Sequence, residues 1–156
     1  MIWLDVGCGP NKRQGCIGID HYPFDGVDIV RSITRGLPFS DNSVDGIIAN
    51  HILEHFDGDD LIFLVEEMHR VCKSESHIYV EVPALGSPNC GKDFTHKKKD
   101  WDEYSFDMWK KSSDSLFDGG YIIQRGPMYA IKGEFEVSYR YDEVSKNAHY
   151  DLIVKK

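Results

Sequence analysis

The 156 residues are enough for one domain with a real core, and 41% apolar and 28% charged residues are the proportions of an ordinary globular protein. The formal charge of −8 argues against a general nucleic-acid surface. No run of about 18 apolar residues is present to span a membrane, and no basic segment leads into an apolar one as in a secretory signal. Cys8, Cys16, Cys72 and Cys90 are scattered without a C-x-x-C pair, which suits reduced thiols in a cytoplasmic setting better than a disulfide framework.

The chain opens with MIWLDV, residues 1–6, an apolar run closed by GCGP, which reads as a strand entering a tight loop. IGID, residues 17–20, is a second short strand ending in an acid, and DIV, residues 28–30, a weaker third. GLPFSDNSVDG is a loop by its Gly, Pro, Asn, Asp and Ser content. GIIAN, residues 46–50, lacks alternation and is expected to be a strand buried on both faces. Leu61, Leu64, Val65, Met68, Val71 and Cys72 then recur at helical spacing, with Asp57, Asp59 and Asp60 placed to cap that helix and favour its dipole. HIYVEVP, residues 77–83, is a fifth strand stopped by Pro83, and residues 84–100 are irregular, with Lys97, Lys98 and Lys99 as a solvated basic island. Trp101, Tyr104, Met108 and Trp109 share one face of a predicted helix. Phe135, Val137, Tyr139 and Tyr141 alternate as in a half-buried strand, and HYDLIVKK ends the chain as its hairpin partner.

This alternation predicts an α/β layer fold over one domain, residues 1–156, with a mainly parallel sheet and an antiparallel C-terminal hairpin at one edge. The short stretch from Gly9 to Ile17 leaves no room for a normal crossover helix, so the first connection is expected to be a compressed loop or a single helical turn.

In open α/β sheets, ligands bind beyond the carboxyl ends of the strands. The glycines of LDVGCGP would let a ligand lie against bare backbone, and Asp20, closing the second strand, can accept hydrogen bonds from ribose hydroxyls. Lys12 stands where a dinucleotide fingerprint would need a third glycine, so a nucleoside ligand without phosphates fits better. LDVGCGPNK, GID, GLPFSDNSVDGIIANHILEHF and HRVCKSESHIYVEVP together resemble the successive motifs of the class I S-adenosylmethionine-dependent methyltransferases, most closely the small type 11 group. DFTHKKKDWDEYSFDMW is similar to a D-P-T-H segment followed by an aromatic helix in the same group.

The resemblance implies a Rossmann-like three-layer sandwich, S-adenosylmethionine as cofactor with S-adenosylhomocysteine as product, and methyl transfer to a small-molecule or saccharide-type acceptor. It implies that Asp5, Gly7, Cys8, Gly9 and Pro10 hold the methionine part, that Asp20 binds the ribose with His21 beside the adenosine, and that Ile33 packs on the adenine. Ser32 stands where many relatives carry an adenine-binding acid, and Asn50 and His51 would lie beside the sulfonium. Relatives of greater length carry N-terminal helices that cap the pocket. With these missing here, the acceptor side is expected to be open or closed by a partner subunit, and a homodimer is compatible with that.

NHILEHF contains His51-x-x-Glu54-His55, the inverted zincin spacing. Zinc ligation would need a helix that stacks His51 on His55, and a strand ends at His51 instead. No metal is therefore expected, and Glu54 and His55 are read as bracing the loop before the helix. His51, Asp93 and His96 are the candidate catalytic bases, with His51 and His96 preferred because imidazole titrates near neutral pH. Residues 91–100 are expected to form one wall of the acceptor site, with Lys97 to Lys99 favouring a negatively charged acceptor. Two other readings stay open: a cofactor-binding module without catalysis, and a zinc hydrolase.

Overall fold

The computed structural model describes residues 1–110 and 132–156; residues 111–131 of the single domain expected from the sequence lie outside the described residues. The short apolar runs form β1 (Trp3–Val6), β2 (Ile17–Asp20), β3 (Ile29–Val30) and β4 (Val44–Asn50). A 14-residue helix, α1 (Gly58–Val71), passes directly into β5 (Cys72–Pro83), and β6 (Glu134–Tyr141) and β7 (Asn147–Lys155) complete the sheet. The strand order is β3-β2-β1-β4-β5-β7-β6. The first five strands pair in parallel, and β7 and β6 add to β5 as an antiparallel hairpin at one edge. This is the mainly parallel sheet with an antiparallel C-terminal hairpin that the sequence pattern predicts.

Side chains alternate across a strand, so the register assigns each to a face. Leu4, Ile47, Ile78 and Leu152 lie in register on one face and are fully buried. Leu64, Val65, Met68 and Val71 of α1 join them in a single core. At roughly 25 cal/mol per Å² of apolar surface, this layer is the main source of stability. Asp57 holds the N-cap position of α1, yet its side chain makes no capping bond; Asp59 and Asp60 contribute from the first turn through their charge instead.

On the opposite face, Trp3 stacks on Tyr79 with ring centroids 6.0 Å apart. Gly46 makes this stacking feasible, since a Cβ there would lie 2.5 Å from the Trp3 ring. Among the described residues no α-helix covers this face, because the connections before β2 and β3 are loops. The described residues therefore supply one of the two helical layers of a three-layer sandwich. Ile48, expected to be buried, is only half-buried on that side.

β5 begins five residues earlier than the sequence pattern indicates. Its pairing jumps from Val44↔Cys72 to Gly46↔His77, and Glu75 takes φ +63°, so residues 73–75 bulge outward before regular pairing starts. The helix expected from Trp101 to Trp109 is instead a series of turns ending in a single 3-10 turn, Asp107–Trp109. Asp102 and Ser105 explain the difference. The Tyr104 amide donates to Asp102 Oδ1 at 3.0 Å and the Asp102 amide to Ser105 Oγ at 2.9 Å, so side chains take up backbone donors that a helix would use. Trp101, Phe106 and Trp109 still reach the core, the first two packed against Tyr150 and Trp109 against Phe106.

Candidate functional site

The compressed first connection is organised by three aspartates. Asp5, at the carboxyl end of β1, accepts the Arg13 amide at 2.7 Å. Asp20, closing β2, accepts the Gly9 amide through Oδ2 and the Tyr22 amide through Oδ1, both at 2.9 Å. Asp28 accepts the Gly18 amide and the Lys12 ammonium, both at 2.8 Å. Lys12 lies so close over Gly18 that a Cβ on that glycine would sit 2.5 Å from its chain. The residue that breaks the dinucleotide fingerprint thus clamps the loop onto β2.

Gly7 and Gly9 take φ +70° and +54°, the left-handed region that glycine enters without strain. Gly7 also faces Ile52, and a Cβ there would lie 2.6 Å from that side chain. Gly9 differs: nothing lies within 4 Å of where its Cβ would be, so its surface is free for a ligand. Cys8 is buried between these turns, and burial, followed by the charges of Asp5 and Asp20, pushes its thiol up to about 11. Asp20 is only 7% exposed. His21, Tyr22 and Phe24 follow it as a surface run of rings, with centroids 4.0 Å apart in the first pair and 5.8 Å in the second. Asp5, Gly7, Cys8, Gly9 and Asp20 are thus gathered at the carboxyl ends of β1 and β2. Pro10 is exposed in the same loop, and Ser32 is half-buried and bonded to Thr34. Ile33 is buried in the main core.

His51 follows β4 with φ +52°, a strained conformation for a residue with a side chain. Its amide donates to Glu81 O at 2.7 Å, which ties the turn to β5. Its ring lies between two acids, Nδ1 at 3.2 Å from Glu54 Oε1 and Nε2 at 3.4 Å from Glu81 Oε1. The Asn147 amide group reaches the same Glu81 oxygen at 2.7 Å. The hydrogen bond to Glu54 raises the His51 pKa above the ordinary imidazole value, against the opposing effect of burial, and Glu81 adds to the rise. Asn50 faces a different space, a cavity of ≈ 400 Å³ on the uncovered sheet face that it shares with Arg13, Ile48 and Tyr79.

His96 comes from the irregular segment after β5 and meets His51 across a second cavity of ≈ 470 Å³, whose walls include Asn89, Lys92, Asp93 and Phe94. The amides of Lys97 and Lys98 donate to Glu54 O at 2.8 and 3.2 Å, which fixes this segment over the turn after β4. Lys97 and Lys98 pair with Asp57 and Asp100, so the cation on the cavity wall is Lys92 rather than the basic island. Glu54 is 1% exposed. Its burial is not foreshadowed by the sequence pattern, although it stands inside NHILEHF; Glu81 and Asn147 carry no local signal at all.

A parallel sheet with this strand order, an appended antiparallel hairpin and an acid-closed second strand define a Rossmann-like fold of the methyltransferase type. Residues 12–80 match the family described as methyltransferase domain, and the resemblance to type 11 S-adenosylmethionine-dependent methyltransferases is borne out. A SAM-dependent methyltransferase from Archaeoglobus fulgidus is 28% identical, with a TM-score of 0.51, over 62% of this chain and 52% of its own. The chain thus spans about half the length of that protein. A SAM-dependent methyltransferase from Aquifex aeolicus (15% identity, TM-score 0.57) is covered over 82% of its length by the whole of this chain. The protein in complex with the Haloferax volcanii Trm112 methyltransferase activator (12% identity, TM-score 0.62) is covered over 83%, by 99% of this chain. These last two share the fold. No curated protein sequence matches the chain. No helix among the described residues is long and apolar enough to cross a membrane.

Proposed function

We propose that the protein binds S-adenosylmethionine at the glycine turn after β1 and transfers its methyl group to a small polar acceptor, of which saccharide-type hydroxyl compounds are the best-matched class. The observation that carries this reading is the Asp20 carboxylate. It uses one lone pair of each oxygen on a backbone amide, which leaves further acceptor capacity for a pair of vicinal hydroxyls. The open surface over Gly9 and the His21 ring beside Asp20 fit the remaining nucleoside part of that cofactor. The bound cofactor supplies an electrophilic methyl group on a sulfonium, and a donor that reactive asks the protein mainly for alignment.

In this reading Asp5, Gly7, Cys8, Gly9 and Pro10 shape the turn around the methionine portion and Ser32 borders the site, whereas Ile33 is packed into the core and Asn50 lines the other cavity. His51 and His96 occupy the acceptor side. The position of His51 between Glu54 and Glu81 favours its protonated form, which places a positive charge beside the acceptor cavity. The polar cavity wall with Lys92, and Phe94, 95% exposed, suit a polyhydroxylated or acidic sugar, which presents both hydroxyls and an apolar ring face.

Calorimetry with S-adenosylmethionine and S-adenosylhomocysteine tests the cofactor assignment. A screen with methyl-labelled cofactor against saccharides and small hydroxyl compounds then tests transfer. Tight cofactor binding with no transfer to any acceptor would favour a binding module.

A further inference from the structure

Glu54, His55 and His96 each place one potential ligand atom within 4.8 Å of the other two. We propose that these three side chains form a binding site for a divalent transition-metal cation of the zinc type. The site goes beyond the methyl-donor reading and does not depend on it.

Glu54 is the first argument. It is 1% exposed, its Oε1 lies at hydrogen-bond distance from His51, and its Oε2 is buried with no partner. A buried carboxylate oxygen without a partner is costly, and a coordinated cation removes that cost.

The second argument is the way His55 is held. Thr95 Oγ1 lies 2.6 Å from Asp93 Oδ1 and 3.0 Å from His55 Nδ1. A hydroxyl carries one proton, and the carboxylate can only accept it. His55 must therefore donate from Nδ1, which leaves Nε2 with a free lone pair. Metal-bound histidines are commonly oriented through their second nitrogen in this way.

His96 completes the set. Its side chain is 10% exposed, and its Nε2 lies 4.0 Å from Glu54 Oε1 and 3.8 Å from Asp93 Oδ2. Its ring meets that of His55 edge to face, with centroids 5.0 Å apart. The backbone bonds from Lys97 and Lys98 to Glu54 hold it there.

Two imidazoles and one carboxylate suit zinc, cobalt or iron(II) and do not suit calcium or magnesium, which prefer oxygen ligands. Three protein ligands leave a coordination position free. His96 also lines the ≈ 470 Å³ cavity, so that position would be taken by water or by an acceptor oxygen. This is not the site suggested by the spacing His51-x-x-Glu54-His55. The left-handed turn at His51 turns that residue towards Glu54 as a supporting hydrogen-bond partner, and His96 replaces it as a ligand.

The test uses the full chain, stripped with chelator, desalted and dialysed against zinc chloride without any methyl donor. Elemental analysis is expected to find one zinc per chain. Imidazole 15N spectra are expected to shift for His55 and His96 and to stay fixed for His69 and His77. His55→Ala and His96→Ala, checked for folding by circular dichroism, are expected to weaken zinc binding at least about tenfold. Absence of stoichiometric zinc, shifts confined to other histidines, or undiminished binding in both folded variants would each overturn the proposal. The wild-type spectra decide the matter even if a variant fails to fold.

Discussion

Asp20 reaches back across the first turn to Gly9, its Oδ2 accepting the Gly9 amide at 2.9 Å, so the proposed ribose-binding acid also shapes the glycine loop beside it. Asp20→Ala should therefore weaken S-adenosylhomocysteine binding at least about tenfold, since charge-assisted hydrogen bonds contribute roughly 1.5–3 kcal/mol each. Calorimetry is the measurement, and an affinity equal to that of the parent would refute the assignment.

Gly7 leaves no room for a side chain. An added Cβ would have to adopt φ +70° and meet Ile52 at 2.6 Å. Gly7→Ala should lower unfolding stability by at least about 2 kcal/mol. Gly9→Ala, at φ +54° but with open space around it, should cost less in the same urea titration. If the two variants prove equally stable, the crowding at Gly7 is not real.

Arg70 fastens α1 to the loop before β4. Its guanidinium donates to Glu67, to Asp41 and to the carbonyls of Leu37 and Phe39. Arg70→Ala should therefore destabilise the fold by about 2–3 kcal/mol. The Arg70 hydrogen bond, and after it the Leu37 amide, holds Glu67 below the ordinary carboxylate range. A depressed acid contributes stability above its unfolded pKa, near 4.3, and loses it as the pH falls through the folded value. Glu67→Gln should accordingly flatten the acid side of the stability–pH curve below about pH 4.3 and leave its shape near neutrality unchanged.

The four thiols should react slowly in the native state. Burial pushes Cys72 up to about 12 and Cys8 up to about 11, and raises Cys16 and Cys90 as well. The thiolate is the reactive form. Iodoacetamide at pH 8 should label Cys16 first, because the other three are buried, and should label all four after denaturation. Mass spectrometry that finds Cys72 modified first in folded protein would contradict this order.

His96→Ala should leave S-adenosylhomocysteine affinity within about twofold, a change under ~0.5 kcal/mol. It should also reduce turnover on whichever acceptor the screen identifies. The reason is position: His96 lines the cavity with Lys92 and Phe94, a set that does not include Gly9 or Asp20. Loss of cofactor binding, or unchanged turnover, would remove His96 from the acceptor side.

Much of the sheet was legible in the sequence because it depends on local chemistry. MIWLDV, IGID and GIIAN are apolar runs bounded by turn residues, and the alternation of Phe135, Val137, Tyr139 and Tyr141 marks β6 directly. The glycine turn and Asp20 were legible for the same reason, since their spacing is set within one strand–turn–strand unit. Other features depend on contacts between distant segments. Trp101, Tyr104, Met108 and Trp109 have helical spacing, but Asp102 and Ser105 capture the backbone donors while Tyr150 and Glu66 capture the rings of Phe106 and Trp109. No local propensity encodes those partners. His51, Glu54 and His55 read together as a metal motif along the chain. The tertiary structure sets the His51 ring against Glu54 and brings His96 to Glu54 and His55 from some 40 residues away, because the segment after β5 hydrogen-bonds to the Glu54 carbonyl. Spacing along a chain assigns neighbours only where the backbone between them is regular, and at the turn after β4 it is not.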